Sequence, residues 1–325
     1  MYRKIMVPTD GSGFDREAIL VALRIAERCR ASVTLIRVLS ARAYFGTGAT
    51  PEVVMATPET MRLERDAAES ELHALAEECR GLTAVELTES LEQGPVVDAL
   101  AGYAKRNDID LIVISSHGRR GIARLSLGSV TDSLIRGTTI PVLVVKPKAS
   151  YLTPEASKEF HHIVVPLDGS ALAEQVLARV APLAEVEEAD VTLPHVVTPS
   201  EDDYANDPTR KLPWWEKKFA GARAYLTRRA IELNALGVPA MIDVVIGEKI
   251  GDTITDYARR CGADLIAVAT HGRGGLARVI HGSVADAITK SAMSSILVFH
   301  PDNAGQRTLS SEGAGKAREE AAAFA

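Results

Sequence analysis

The chain has 325 residues, a length that suggests two domains, and its 37 Lys and Arg against 43 Asp and Glu give a formal net charge of −6. That balance gives no pull toward nucleic acid or an anionic membrane, and 46% hydrophobic with 25% charged residues excludes a disordered or fibrous chain. Three widely spaced cysteines, Cys29, Cys79 and Cys261, exclude a disulfide framework and a zinc knuckle, while a start of MYRKIMVPTDGS and the absence of any membrane-length apolar run lead to the expectation of a cytoplasmic protein.

In chain order, Lys4–Pro8 predicts a short apolar strand. Phe14–Arg30 predicts an amphipathic helix with Ala18, Ile19, Ala22, Ile25 and Ala26 on one face. A strand at Ser32–Leu39 and a long helix at Glu59–Arg80 follow, then a third strand at Thr83–Leu87 and a third helix at Val96–Lys105. Asp110–Ser115 predicts a fourth strand, Ser129–Arg136 a last helix and Pro141–Lys146 a fifth strand. Runs such as LIVI and VLVV fit strands covered on both faces, and the alternation argues for parallel βαβ units.

The order then repeats, with Trp214–Leu236 as the long second helix. KIMVPTDGS (Lys4–Ser12) and HIVVPLDGS (His162–Ser170) share six of nine residues at an offset of 158. LIVISSHGRRGIARLSLGSVTDSLIR (Leu111–Arg136) and LIAVATHGRGGLARVIHGSVADAITK (Leu265–Lys290) share twelve of 26 at an offset of 154. The expected organisation is copy one at 1–148, a polar linker at 149–158, copy two at 159–302 and a disordered tail at 303–325. Each copy is expected to form a doubly wound α/β domain with a five-stranded parallel sheet and helices on both faces.

Ligands of such sheets bind beyond the carboxyl ends of strands where the order reverses, and the repeated loops leave such ends. Gly118 and Gly128, followed by Ser129, are matched by Gly272, Gly282 and Ser283. Glycines let backbone amides approach a phosphate, and a helix N-terminus adds donors and partial positive charge. The competing reading makes Gly118 a turn and Ser129 the N-cap of an S-x-x-D box. Asp10 and Asp168, after Pro8 and Pro166, either cap the next helix or accept hydrogen bonds from adenine or ribose. Val38 and Val196 present backbone near an adenine edge or simply pack. His117 and His271 read as loop anchors, and Arg119, Arg124, Arg273 and Arg278 screen phosphate charge or face solvent. A P-loop, a dinucleotide fingerprint and a nucleophile elbow are all missing.

P-T-D-G-S with SSHG-x9-GS resembles the universal stress protein family, and HGRRGIARLSLGS with HGRGGLARVIHGS resembles its ATP-binding subclass, whose motif is G-x2-G-x9-G-[S/T]. The resemblance implies strand order 3-2-1-4-5, ATP (or AMP or ADP) as ligand with magnesium held only through phosphates, a homodimer or an intramolecular domain pair, and a role in stress endurance. By position it implies an ATP site in copy one at Pro8, Thr9, Asp10, Val38, Ser115, Ser116, His117, Gly118, Arg119, Gly128, Ser129 and Val130. In copy two it implies Pro166, Asp168, Val196, Ala269, Thr270, His271, Gly272, Arg273, Gly282, Ser283 and Val284. The motif's first glycine is Ser115 in one copy and Ala269 in the other, Leu167 replaces Thr9, and Pro194 is expected to interrupt the second strand of copy two. Two functions stay open: a regulatory protein controlled by bound ATP, with an unnamed protein partner, or a slow ATPase or nucleotidyl transferase. Release of ADP or AMP from ATP and magnesium separates them.

Overall fold

The computed structural model of the protein describes residues 2–13, 15–40, 44–45, 53–54, 57–116, 127–146, 160–199, 214–270 and 283–300. Copy one runs β1 (Lys4–Pro8), α1 (Arg16–Cys29), β2 (Ser32–Leu39), β3 (Tyr44–Phe45), β4 (Val53–Val54), α2 (Pro58–Arg80), β5 (Leu87–Gln93), α3 (Val96–Arg106), β6 (Leu111–Ser115), α4 (Ser129–Gly137) and β7 (Val142–Val145). Copy two runs β8 (His162–Val164), α5 (Ala171–Glu174), α6 (Leu177–Glu187), β9 (Asp190–Val197), α7 (Trp214–Ala235), β10 (Ala240–Ile246), α8 (Ile250–Arg260), β11 (Leu265–Ala269), α9 (Ser283–Ser291) and β12 (Ser295–Phe299). The expected linker at 149–158 and tail at 303–325 lie outside the described residues.

Each copy has the strand order 3-2-1-4-5, as β5-β2-β1-β6-β7 and β10-β9-β8-β11-β12, with parallel neighbours throughout. The copies share one ten-stranded sheet, because β7 and β12 pair antiparallel through Val142↔Val298, Leu143↔Leu297 and Val144↔Ile296. Strands such as β6 and β7 are buried along their whole length because helices cover both faces. One core layer packs α1, α2, α6 and α7 on the sheet, and the other packs α3, α4, α8 and α9. All three cysteines are free thiols, and burial pushes that of Cys79 up to about 11.

Two expectations are corrected, and one element was not foreseen. The third strand is Leu87–Gln93 rather than Thr83–Leu87, and its sequence LTESLEQ carries no apolar run because β5 is an edge strand. Glu89 and Glu92 there pair with Arg80 and Arg106 instead of packing in the core. The hairpin of β3 and β4 gave no signal above its surroundings. Finally, β9 runs unbroken through Pro194, which pairs with Asp243. Proline lacks only the amide, and its carbonyl accepts the Leu167 amide at 3.1 Å, as Ile36 accepts that of Thr9 at 2.8 Å. The missing donor faces β8, and the loss falls there. Pairing of β8 with β9 ends at Val164↔Thr192, whereas β1 pairs with β2 as far as Pro8↔Ile36.

Candidate functional site

The sheet order reverses between β1 and β6, which pair through Ile5↔Leu111 and Met6↔Ile112. From β1 the chain crosses by α1 to β2 on one side, and from β6 it crosses by α4 to β7 on the other. Pro8, Thr9 and Asp10 leave β1, Val38 is the penultimate residue of β2, and Ser115 and Ser116 end β6. Gly128, Ser129 and Val130 open α4, so these positions share the carboxyl edge of neighbouring strands. His117, Gly118 and Arg119 lie outside the described residues.

Asp10 does not cap α1. Its Oδ1 accepts the Ser12 amide at 2.8 Å, closing an Asx turn over Gly11, whose φ of 74° is the left-handed region glycine adopts freely. Behind the turn stands Asp15, a buried residue at the N-cap position of α1. Its Oδ2 accepts the Thr9 hydroxyl at 2.8 Å and the Asp10 amide at 2.9 Å. The Gly11 amide in turn donates to Thr9 Oγ1 at 3.2 Å. Burial raises the Asp15 carboxyl above its ordinary range, outweighing the bonds from Asp10 and Thr9 that lower it.

The N-cap of α4 is Gly128 (φ −62°, ψ 147°), so Ser129 is the first helical residue rather than the cap. The Gly128 amide is spent on the Ser116 carbonyl at 2.8 Å, and the first helical bond runs from the Asp132 amide to the Gly128 carbonyl at 2.9 Å. Between them the amides of Ser129, Val130 and Thr131 make no hydrogen bond among the described residues. That is the usual donor set of a helix N-terminus facing an anion. The Thr131 hydroxyl donates to the Ser115 carbonyl at 3.0 Å and ties this turn to the end of β6. A Cβ on Gly128 would sit 3.4 Å from the Ser116 carbonyl oxygen, an ordinary contact.

In copy two the Asx turn recurs: Asp168 Oδ1 accepts the Ser170 amide at 2.9 Å, over Gly169 with φ 80°. The support behind it differs. Leu167 and Ala173, both buried, replace Thr9 and Asp15, an apolar pair for a hydrogen-bonded one. Ser170 caps α5 by accepting the Ala173 amide at 3.1 Å. Pro166 and Asp168 follow β8, Val196 is the penultimate residue of β9, Ala269 and Thr270 end β11, and Ser283 and Val284 open α9. His271, Gly272, Arg273 and Gly282 lie outside the described residues.

A link between the copies was not foreseen. Thr270 Oγ1 hydrogen-bonds His300 Nδ1 at 2.9 Å, and His300 Nε2 donates to the Ile135 carbonyl on α4 of the other copy. Reciprocally, buried Lys146 donates to the Thr289 carbonyl on α9 at 3.5 Å, and burial holds its ammonium below the usual lysine range. Lys146 and His300 follow the last strands of their copies at matching positions, and Ile135 and Thr289 hold matching positions in the final helices. Polar residues closing VLVVK and ILVFH were the only signal in the sequence.

The model of the universal stress protein family matches residues 1–146 and 159–300. A universal stress protein of Methanocaldococcus jannaschii is 32% identical over 146 residues, covering 45% of this chain and 83% of its own. One from Mycolicibacterium smegmatis is 24% identical over 310 residues, covering 91% of this chain and 97% of its own. Among solved structures, a universal stress protein from Archaeoglobus fulgidus superposes with a TM-score of 0.66 at 17% identity, covering 92% of this chain and 97% of its own. That likeness supports the fold.

Proposed function

This chain belongs to the universal stress protein family as a tandem of two domains, and on that premise we propose that it is an ATP-binding regulatory protein whose bound nucleotide sets its conformation or its affinity for a partner. The observation that carries the reading is a juxtaposition present in both copies. An Asx-turn aspartate leaves strand one, and a helix N-terminus opens after strand four, on either side of the point where the strand order reverses. Asp10 and Asp168 are assigned to adenine or ribose, with the backbone of Val38 and Val196 at the adenine edge. The amides of Ser129 and Val130, and of Ser283 and Val284, are assigned to phosphates, together with the Gly118 and Gly272 loops. Magnesium would be held through the phosphates. The functional units are taken as 1–148 and 159–302, acting as a domain pair within one cytoplasmic chain.

Thermal unfolding with and without nucleotide tests this. A ligand at 100 times its dissociation constant that binds only the native state adds about 2.7 kcal/mol, and roughly 2–4 °C per kcal/mol follows for domains of this size. ATP should raise the Tm by several degrees and GTP by much less. Equal shifts would remove the adenine assignment, and no shift with either would remove nucleotide binding.

A further inference from the structure

The helices that open the phosphate side, α4 and α9, end in the same way. In each, the amide just past the helix closes the last turn: Thr138 donates to the Leu134 carbonyl at 3.1 Å, and Ala292 to the Ile288 carbonyl at 2.8 Å. The next carbonyls, those of Ile135 and Thr289, belong to the final turn, whose acceptors have no partner within their own helix. Each takes its donor from the other copy. His300 Nε2 donates to Ile135, and Lys146 Nζ donates to Thr289 at 3.5 Å. Both pairings keep the offset of 154 that relates the two copies. Arg136, beside Ile135, adds a contact across the seam to Asp286 in the first turn of α9, at 3.3 Å.

The opposite end of each helix carries the amides assigned to phosphate, Ser129 and Val130 in α4, Ser283 and Val284 in α9. A helix of nine residues is about 13 Å long, so what fixes one end aims the other. The same dipole favours an anion at the N-terminus and a donor or cation at the C-terminus. We propose, resting on the nucleotide reading, that each copy positions the phosphate-binding helix of the other. His300 of copy two sets the phosphate end of the copy-one site, and Lys146 of copy one sets that of the copy-two site. Both are positioning residues, since each acts through the helix it holds. The His300 ring also has a second partner. A carbonyl only accepts, so Nε2 carries a proton, and in the neutral ring Nδ1 accepts the Thr270 hydroxyl at 2.9 Å. Thr270 directly follows β11, where the copy-two phosphate loop begins, so one ring joins the loop of copy two to the helix of copy one.

The test titrates the full chain with ATP and magnesium and follows backbone amides by NMR. Ser129 and Val130 report the copy-one site, Ser283 and Val284 the copy-two site. His300→Asn keeps a polar group where Nδ1 meets Thr270 but falls short of Ile135. It should weaken ATP at the copy-one amides about fivefold, the low end of coupling between sites, and leave the copy-two amides at wild-type affinity. His300→Gln carries its amide nitrogen out to the place of Nε2 and should restore the copy-one site. Lys146→Met fills the buried position without a charge. It should weaken the copy-two site about fivefold and leave copy one unchanged, and either variant carries the test if the other does not fold. Losses confined to the substituted copy, equal losses at both sites, unchanged affinity at both, or a His300→Gln chain as weak as His300→Asn would each overturn the proposal. A wild type whose four amides ignore ATP removes the nucleotide reading and this proposal with it. A responsive wild type without the crossed pattern removes this proposal alone.

Discussion

Asp15 shows how one residue can organise a loop without being repeated. It holds the amide of Asp10 and the hydroxyl of Thr9 on a single oxygen, and its burial raises its carboxyl above the ordinary value of 3.8. A group with a raised folded pKa holds its proton more tightly folded than unfolded. Its contribution to stability is therefore fully present below the unfolded value and is lost as pH rises through the folded one. Asp15→Asn keeps an acceptor for both donors and cannot ionise, so it escapes that loss. The Tm of this variant relative to wild type should climb as pH rises above the ordinary carboxyl value of 3.8 and level once Asp15 is ionised; a difference that is flat or falls with pH would contradict this. Asp10 and Asp168 were legible in the sequence because self-comparison repeats them. Asp15 was not, because Ala173 stands in its place and the comparison erases what differs. Ser129 was misread as a possible cap because serine is a good N-cap, whereas the helix starts one residue earlier than that reading needs, with Gly128 at the cap and Ser129 in the first turn.

Elements were legible where burial imposes a pattern. The two-sided strands announced themselves as apolar runs, and α1 by its inward stripe of Ala and Ile. The edge strand β5 did not, because salt bridges rather than packing occupy its exposed residues. Helix packing was equally silent at Gly251, in the first turn of α8. A Cβ there would come within 2.5 Å of the Ala287 Cβ on α9, so the two helices meet at a glycine for steric reasons. Gly251→Ala should cost about 1–3 kcal/mol by overpacking, read by urea denaturation. It should also weaken the copy-two nucleotide site, since relief of the clash displaces the helix that opens with Ser283 and Val284. Wild-type stability would mean that α8 and α9 separate freely.

At the scale of the molecule, the sequence revealed a duplication but not how the halves join. The antiparallel pair β7–β12 makes one sheet of two, and α1 meets α6 across the seam. There Arg24 and Glu187 form an ion pair with side chains 10% and 0% exposed, Arg24 also lies over the Phe160 ring, and Arg28 donates to the Val186 carbonyl at 2.8 Å. Nothing in a linear pattern distinguishes such a seam from any other buried strand and helix. Removing one partner of a buried pair leaves an uncompensated charge, typically at about 3–5 kcal/mol. Glu187→Ala should therefore lower the urea midpoint by that measure. A loss under about 0.5 kcal/mol, the usual range of a surface change, would place the pair outside the load that holds the copies together.

The central claim, two adenine-nucleotide sites in one chain, is tested most directly by calorimetric titration of the full-length protein with ATP and magnesium. Saturation should come at two nucleotides per chain. The tighter site is expected in copy one, where Asp15 clamps the Asp10 loop with bonds that Ala173 cannot make, and the difference should be about tenfold for one hydrogen bond of roughly 1.4 kcal/mol. Asp10→Ala should remove the tighter phase and Asp168→Ala the weaker. Titration without heat or saturation, or two phases that survive both substitutions, would contradict the account.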